Sequence, residues 1–246
     1  MNGSMQDPGF PRETWADRLQ AVFEVLLLSG PVSTILAYIL FYGFQKKPSA
    51  NPLSDAKFFC AFILLESGIA LLLLTAIVRF HRETFLSLGL RWERWKFHLM
   101  IGLALVPFLF LINAAVAIFF KLYLPQYFIE KNPIIELIHT PQQLILIIFS
   151  ALIAGGIKEE LQRAFIITRF RRHLGGAGIG LVLWSIAFGL GHYVQGVQGI
   201  AVATLYGLIF GLLYILSGSL TAPIIAHGVY DALVLLAYWF FPSRIG

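Results

Sequence analysis

Seven long apolar stretches constrain this chain more than any other feature. They run approximately over 21–43, 58–79, 97–122, 142–168, 176–194, 198–216 and 220–241. A helix that crosses the hydrocarbon core of a bilayer needs about 20 mostly apolar residues. The pattern therefore predicts an all-α, polytopic transmembrane bundle of about seven spans, with an eighth, re-entrant or split segment as the alternative. Only 13% of the 246 residues are charged, against about 25% in an average soluble domain. That deficit agrees with the membrane class.

The segments between the spans carry the polar character. Gln6–Leu19 mixes Phe10, Trp15 and Leu19 with charges and is expected to lie along the interface. Residues 83–96 read as a second amphipathic connector, with Trp92 and Trp95 at headgroup depth. The stretch 123–141 contains Pro125, Pro133 and Pro141 and is expected outside the membrane. No cleavable signal peptide is expected, because the first 20 residues are polar and the apolar run after them is too long. Cys60, the single cysteine, reads as a small buried hydrophobe. The net charge of +5 fits the positive-inside bias rather than a nucleic-acid surface, since no clustered basic patch is present. Ten loop Lys and Arg on the side of the N-terminus (Arg12, Arg18, Arg79, Arg82, Arg91, Arg94, Lys96, Arg169, Arg171, Arg172) face six on the other (Lys46, Lys47, Lys57, Lys121, Lys131, Arg244). This predicts a cytoplasmic N-terminus in a bacterial-type plasma membrane.

Charges inside spans cost a few kcal/mol each on insertion scales, so their presence asks for a reason. They are Lys158, Glu159, Glu160 and Arg163 in the fourth span, His192 at the end of the fifth, His227 and Asp231 in the seventh, and Glu24 and Glu66 in the first two. Glu159 and Glu160 lie four and three residues before Arg163, so either can pair with it on one helical face, and a self-neutralising ion pair is one reading. Glu24 and Glu66 read as snorkelling or helix-pairing carboxylates. His192 taken alone reads as a packing residue. His227 and Asp231, at i and i+4, share one face, an arrangement that fixes a ring tautomer. Gathered in one place, these carboxylates and imidazoles are what water activation or metal binding requires. Gly155 and Gly156, Gly189 and Gly191, and the GxxxG pair Gly207 and Gly211 predict close helix packing across the last four spans.

Three stretches, KEELQRAF (158–165), FGLGHYVQG (188–196) and HGVYD (227–231), in this order resemble the CAAX-protease and bacteriocin-processing (abortive-infection) family of intramembrane proteases. Type II CAAX prenyl endopeptidases are its best-known members. The resemblance covers about residues 142–240, a core of four helices (142–241). Residues 1–141 then correspond to the amphipathic segment and three variable helices. The resemblance implies an intramembrane endopeptidase acting at or near the bilayer. A motif-one glutamate, Glu159 or Glu160, would activate water together with His192. His227 and Asp231 would hold the oxyanion, and Arg163 would brace the glutamate. It implies a lipid bilayer and a peptide or membrane-protein substrate as partners.

One departure from the family pattern leaves alternatives open. The usual motif is Glu-Glu-x-x-x-Arg, whereas Glu159-Glu160-Leu161-Gln162-Arg163 is one residue shorter. Alignment on Arg163 places Lys158 at the first glutamate and implies an inactive scaffold. Alignment on the carboxylates implies a working enzyme and requires a local bulge in the helix. A proton-coupled transporter is a further class, although no paired halves are evident. Zinc held by Glu160, His192 and His227 is one route to the chemistry. Activation of water by Glu and His without any cofactor is the other.

Overall fold

The computed structural model describes residues 14–43, 55–91 and 93–241, and over these residues it contains helices and turns and no strand. Helix α1 (Trp15–Leu28) opens with a capping box, in which the Thr14 hydroxyl accepts from the Asp17 amide and the Asp17 carboxylate accepts from the Thr14 amide. It meets α2 (Pro31–Gly43) at a 44° bend. Gly30 supplies a φ of +109° there, a conformation costly for residues with a Cβ, and Pro31 starts the next helix. Helices α3 (Ala56–Phe80) and α4 (Trp95–Tyr123) follow, separated by turns. After two short 3-10 turns come α5 (Pro141–Ala151), a π-helix (Leu152–Glu159), and α6 (Glu160–His173). Helices α7 (Ala177–Gly191), α8 (Gly196–Ser217) and α9 (Thr221–Phe240) complete the bundle.

The count of seven spans is not confirmed. Among the described residues four helical stretches are long and apolar enough to cross a membrane: α3, α4, Tyr193–Ser217 and α9. The bent pair α1–α2 is a fifth if it acts as one. The expected fifth span, 176–194, is the 15-residue helix α7, short of a full crossing. The expected fourth span, 142–168, is broken by the π-helix, and its C-terminal part turns into the protein. Every residue of α6 from Glu160 to Arg169 is buried. A helix covered on all sides is a core element, and this explains how one segment holds so many charges.

Other expectations meet mixed outcomes. Cys60 is buried, 1% exposed, beside Leu144, Ile147 and Leu235. Residues 83–91 of the expected connector form turns, with Leu88 fully buried and the carbonyl of Gly89 accepting from the amide of Leu220 at 2.8 Å. Trp95 begins α4 and is exposed. Residues 6–13 of the N-terminal segment, Lys46, Lys47, Trp92 and Arg244 lie outside the described residues. In lipid, helix association rests on close packing and interhelical polar contacts, and the GxxxG pair supplies the first of these. A Cβ on Gly207 would lie 2.9 Å from the Cα of Ser185 in α7, and one on Gly211 would press into Leu181 and come 3.5 Å from the Arg163 side chain. Gly189 meets Thr204 and Ile200 of α8, whereas Gly191 faces open space.

Candidate active site

Two adjacent glycines prepare the site. Gly155 and Gly156 lie within the π-helix Leu152–Glu159, where their low helix propensity makes departure from the regular i→i−4 ladder less costly. Such wide turns recur at functional positions. The glycines also admit α9: a Cβ on Gly155 would sit 2.6 Å from Asp231 Oδ2 and 3.2 Å from His227 Nε2, and one on Gly156 would lie 3.4 Å from the Cα of Gly228. The face of α9 that carries His227 and Asp231 is thus packed directly on the π-helix backbone.

From the end of the π-helix, three consecutive side chains take different directions. Lys158 reaches α3, with Nζ 3.1 Å from Glu66 Oε2 and 3.7 Å from Glu159 Oε1. Glu159 lies 3.8 Å from His227 Nε2 through its other oxygen. Glu160 is fully enclosed, and its Oε1 accepts both from Arg163 Nη1, three residues on, and from His227 Nδ1 at 2.7 Å. An ionised carboxylate only accepts, so Nδ1 carries the ring hydrogen in this contact. Nε2 is then the nitrogen turned toward Glu159 and Asp231, whose Oδ2 is 3.5 Å away.

Side-chain exposure rises outward from this centre: 0% for Glu160 and Arg163, 7% for His227, 18% for Glu159 and 27% for Asp231. Glu160 is therefore sealed inside the protein, and Glu159 is the more accessible of the two glutamates. Two rings wall the centre. The Arg163 guanidinium lies 4.9 Å from the ring centroid of Phe188 on α7 and 5.4 Å from that of Phe210 on α8, and His227 stacks on Phe210 at 4.8 Å. A planar, weakly hydrated guanidinium suits such a seat.

His192 joins the group less directly. At the end of α7 its Nδ1 donates to the carbonyl of Phe188 at 2.8 Å, and its ring lies 4.6 Å from that of Phe188, which in turn lies 6.3 Å from the ring of His227. Nδ1 therefore carries a ring hydrogen in this contact, and Nε2 is the nitrogen not engaged by the backbone. The fold thus gathers Glu159, Glu160, Arg163, His227 and Asp231 by contact, and His192 by proximity. The π-helix ends at Glu159, and Glu160 to Arg163 lie in the regular α-helix α6.

The trio Glu160, His192 and His227 does not fit a metal ion. Glu160 Oε1 is already occupied by a guanidinium and by an imidazole N–H, and among the described residues no group of three His, Cys, Asp or Glu is disposed to hold one.

A second buried acid–base cluster involves the C-terminal half of α6. Arg169 donates through Nε to Glu24 Oε2 at 2.7 Å and through Nη1 to both oxygens of Glu83, at 3.0 and 3.2 Å. Arg172 also binds Glu83, and His81 and Gln20 contact Glu24 Oε1. Glu24 and Glu66 are both helix-pairing carboxylates, neither of them snorkelling. Reading the sequence missed Glu66, Ser33, Arg169 and Phe210 as parts of these clusters. Glu66 was visible as an intramembrane acid, but its partner lies about ninety positions away in the chain.

Comparison with curated proteins and with solved structures gives no match. Comparison with family models gives one, and it spans every residue of the candidate site apart from the supporting Glu66 and Ser33. Over residues 140–233 the chain matches the family described as Type II CAAX prenyl endopeptidase Rce1-like, a family of membrane proteases, and it is this family that the sequence motifs resemble.

Proposed function

We infer that the chain hydrolyses a peptide bond at or within the bilayer, with Glu159 as general base. One observation carries this reading. Of the two adjacent glutamates, Glu160 is sealed in and tied to Arg163 and His227, whereas Glu159 keeps a partly accessible carboxylate beside His227 Nε2. A water held between Glu159 and His192 Nε2 gives its proton to Glu159 as its oxygen bonds to the scissile carbonyl carbon. The oxyanion that forms takes a hydrogen bond from Nε2–H of His227 in its doubly protonated form. Collapse of the intermediate breaks the C–N bond, and Glu159 returns the proton to the leaving amine. Positioned bases contribute about 10²–10⁴-fold and an oxyanion donor about 10²–10³-fold.

Glu160 and Arg163 fix the imidazole. Asp231, as an acceptor-only carboxylate, orients His227 from its Nε2 side rather than donating to the oxyanion itself. This scheme needs no metal. The family's description points to prenylated C-terminal peptides as the first substrates to try, alongside unmodified membrane peptides.

The test is cleavage by the purified protein in liposomes, followed by mass spectrometry of the products. Wild-type protein should cut at least one substrate with or without chelator, and Glu159→Gln should abolish cutting while remaining folded. Undiminished cutting by Glu159→Gln would remove the base from this scheme. Binding without cutting by the wild type would instead support a non-catalytic scaffold, the reading that Lys158 favours.

A further inference from the structure

Lys158 stands where alignment on Arg163 expects a glutamate, and its surroundings give it a use. Its ammonium is buried between two carboxylates, 3.1 Å from Glu66 Oε2 and 3.7 Å from Glu159 Oε1. Glu66 is itself fixed, because its Oε1 accepts from the Ser33 hydroxyl at 2.6 Å. A chain of contacts therefore runs from α2 through α3 to the π-helix and ends on Glu159. The nearest polar contacts of Glu159 are this ammonium and His227 Nε2, at 3.7 and 3.8 Å. Ser33 and Glu66 lie outside residues 140–233, the part that matches the family.

We propose that Lys158 is a positioning residue which, anchored on Glu66 and Ser33, holds the Glu159 carboxylate in its working orientation and makes α2 and α3 part of the active unit. This rests on Glu159 being the base. The physical basis is the competition among acids in one place. Glu66 and Glu159 share the Lys158 ammonium, Glu159, Glu160 and Asp231 surround the His227 ring, and Arg163 is committed to Glu160. Without Lys158, Glu159 would keep only the His227 ring, which it shares with Glu160 and Asp231, and repulsion would turn it toward the accessible side. A lysine that merely neutralised Glu66 would have no such effect on Glu159.

The double variant Lys158→Met/Glu66→Gln separates the two roles. Replacing both members of a buried pair is often neutral for stability, so the protein should keep its melting temperature in detergent. Its kcat should fall about a hundredfold, the size of effect of a misplaced catalytic group, with KM unchanged because Lys158 is buried behind Glu159. Lys158→Arg should recover most of the loss. If the double variant does not fold, Glu66→Gln alone decides, since it releases the anchor and should lower kcat at constant KM. Wild-type kcat in whichever variant is folded would overturn the proposal. Glu159→Gln runs in the same assay: if it too is fully active, the base assignment fails, and if it is inactive, only the positioning role does.

Discussion

Two acid–base clusters share helix α6, and they use the same residue types in different ways. Arg163 and Arg169 are six residues apart, about 9 Å of helical rise. Around Arg169 each oxygen of Glu24 and Glu83 has a partner, drawn from Arg169, Arg172, His81 and Gln20. Around Arg163 the contacts are uneven. Glu160 Oε1 has two donors while its Oε2 is buried without one, and Glu159 and Asp231 stay 3.5–3.8 Å from His227 Nε2, beyond ordinary hydrogen-bond length. Carboxylates with every oxygen engaged hold helices together. Carboxylates that remain underused beside an accessible surface are available to a substrate.

Several measurements would break or sharpen this contrast. The largest difference should come from paired isosteric changes. Glu159→Gln is expected to lower cleavage by about a thousandfold, while Glu24→Gln lowers the melting temperature and leaves the rate per folded molecule unchanged. Equal rate losses in the two variants would erase the distinction between the clusters. Next in size is Gly155→Ala, whose methyl group would overlap Asp231 Oδ2 and crowd His227 Nε2. Rates should drop by about a hundredfold with the helical circular dichroism signal intact.

Stability effects follow. Arg163→Met leaves Glu160 buried with the His227 ring as its one partner and should cost about 3–5 kcal/mol, read as reduced resistance to denaturation in mild detergent. Adding Glu160→Gln should restore most of that stability but none of the activity, because the brace on His227 is gone. Recovery of activity in the double variant would make Glu160 and Arg163 structural only.

The smallest effect concerns Glu83, in the turn after α3. Burial pushes its carboxyl up, but the Arg169 hydrogen bond and the charges of Arg169 and Arg172 outweigh it and hold the group below its ordinary value of 4.5. A carboxyl lowered in the folded state stabilises above the unfolded value and loses that contribution as pH falls through the folded one. Melting temperature should therefore decline on acidification below about pH 4.3, and less steeply in Glu83→Gln. An identical slope in both proteins would detach Glu83 from the Arg169 cluster.

The sequence made the helical class and most of the site legible, and the reasons are local. Apolar runs report directly on burial in lipid. The spacing of His227 and Asp231, and of Glu160 and Arg163, lies within one helical turn, where periodicity fixes which side chains share a face. The span count goes unconfirmed where that logic ends. Residues 142–168 have the length of a crossing helix, but whether such a helix faces lipid or protein depends on its neighbours, and α6 is surrounded by them.

What the chain's own order of residues determined is therefore the set of helices, the short-range pairs and the three motifs in their sequence. What only the tertiary structure decided is which of two adjacent glutamates is sealed and which is open, where the Lys158 ammonium rests, and that Glu24 finds Arg169 and Glu66 finds Lys158. Those outcomes depend on contacts between positions 67 to 145 residues apart. A helical period carries no information across such distances, because the loops that bring the helices together do not preserve its phase.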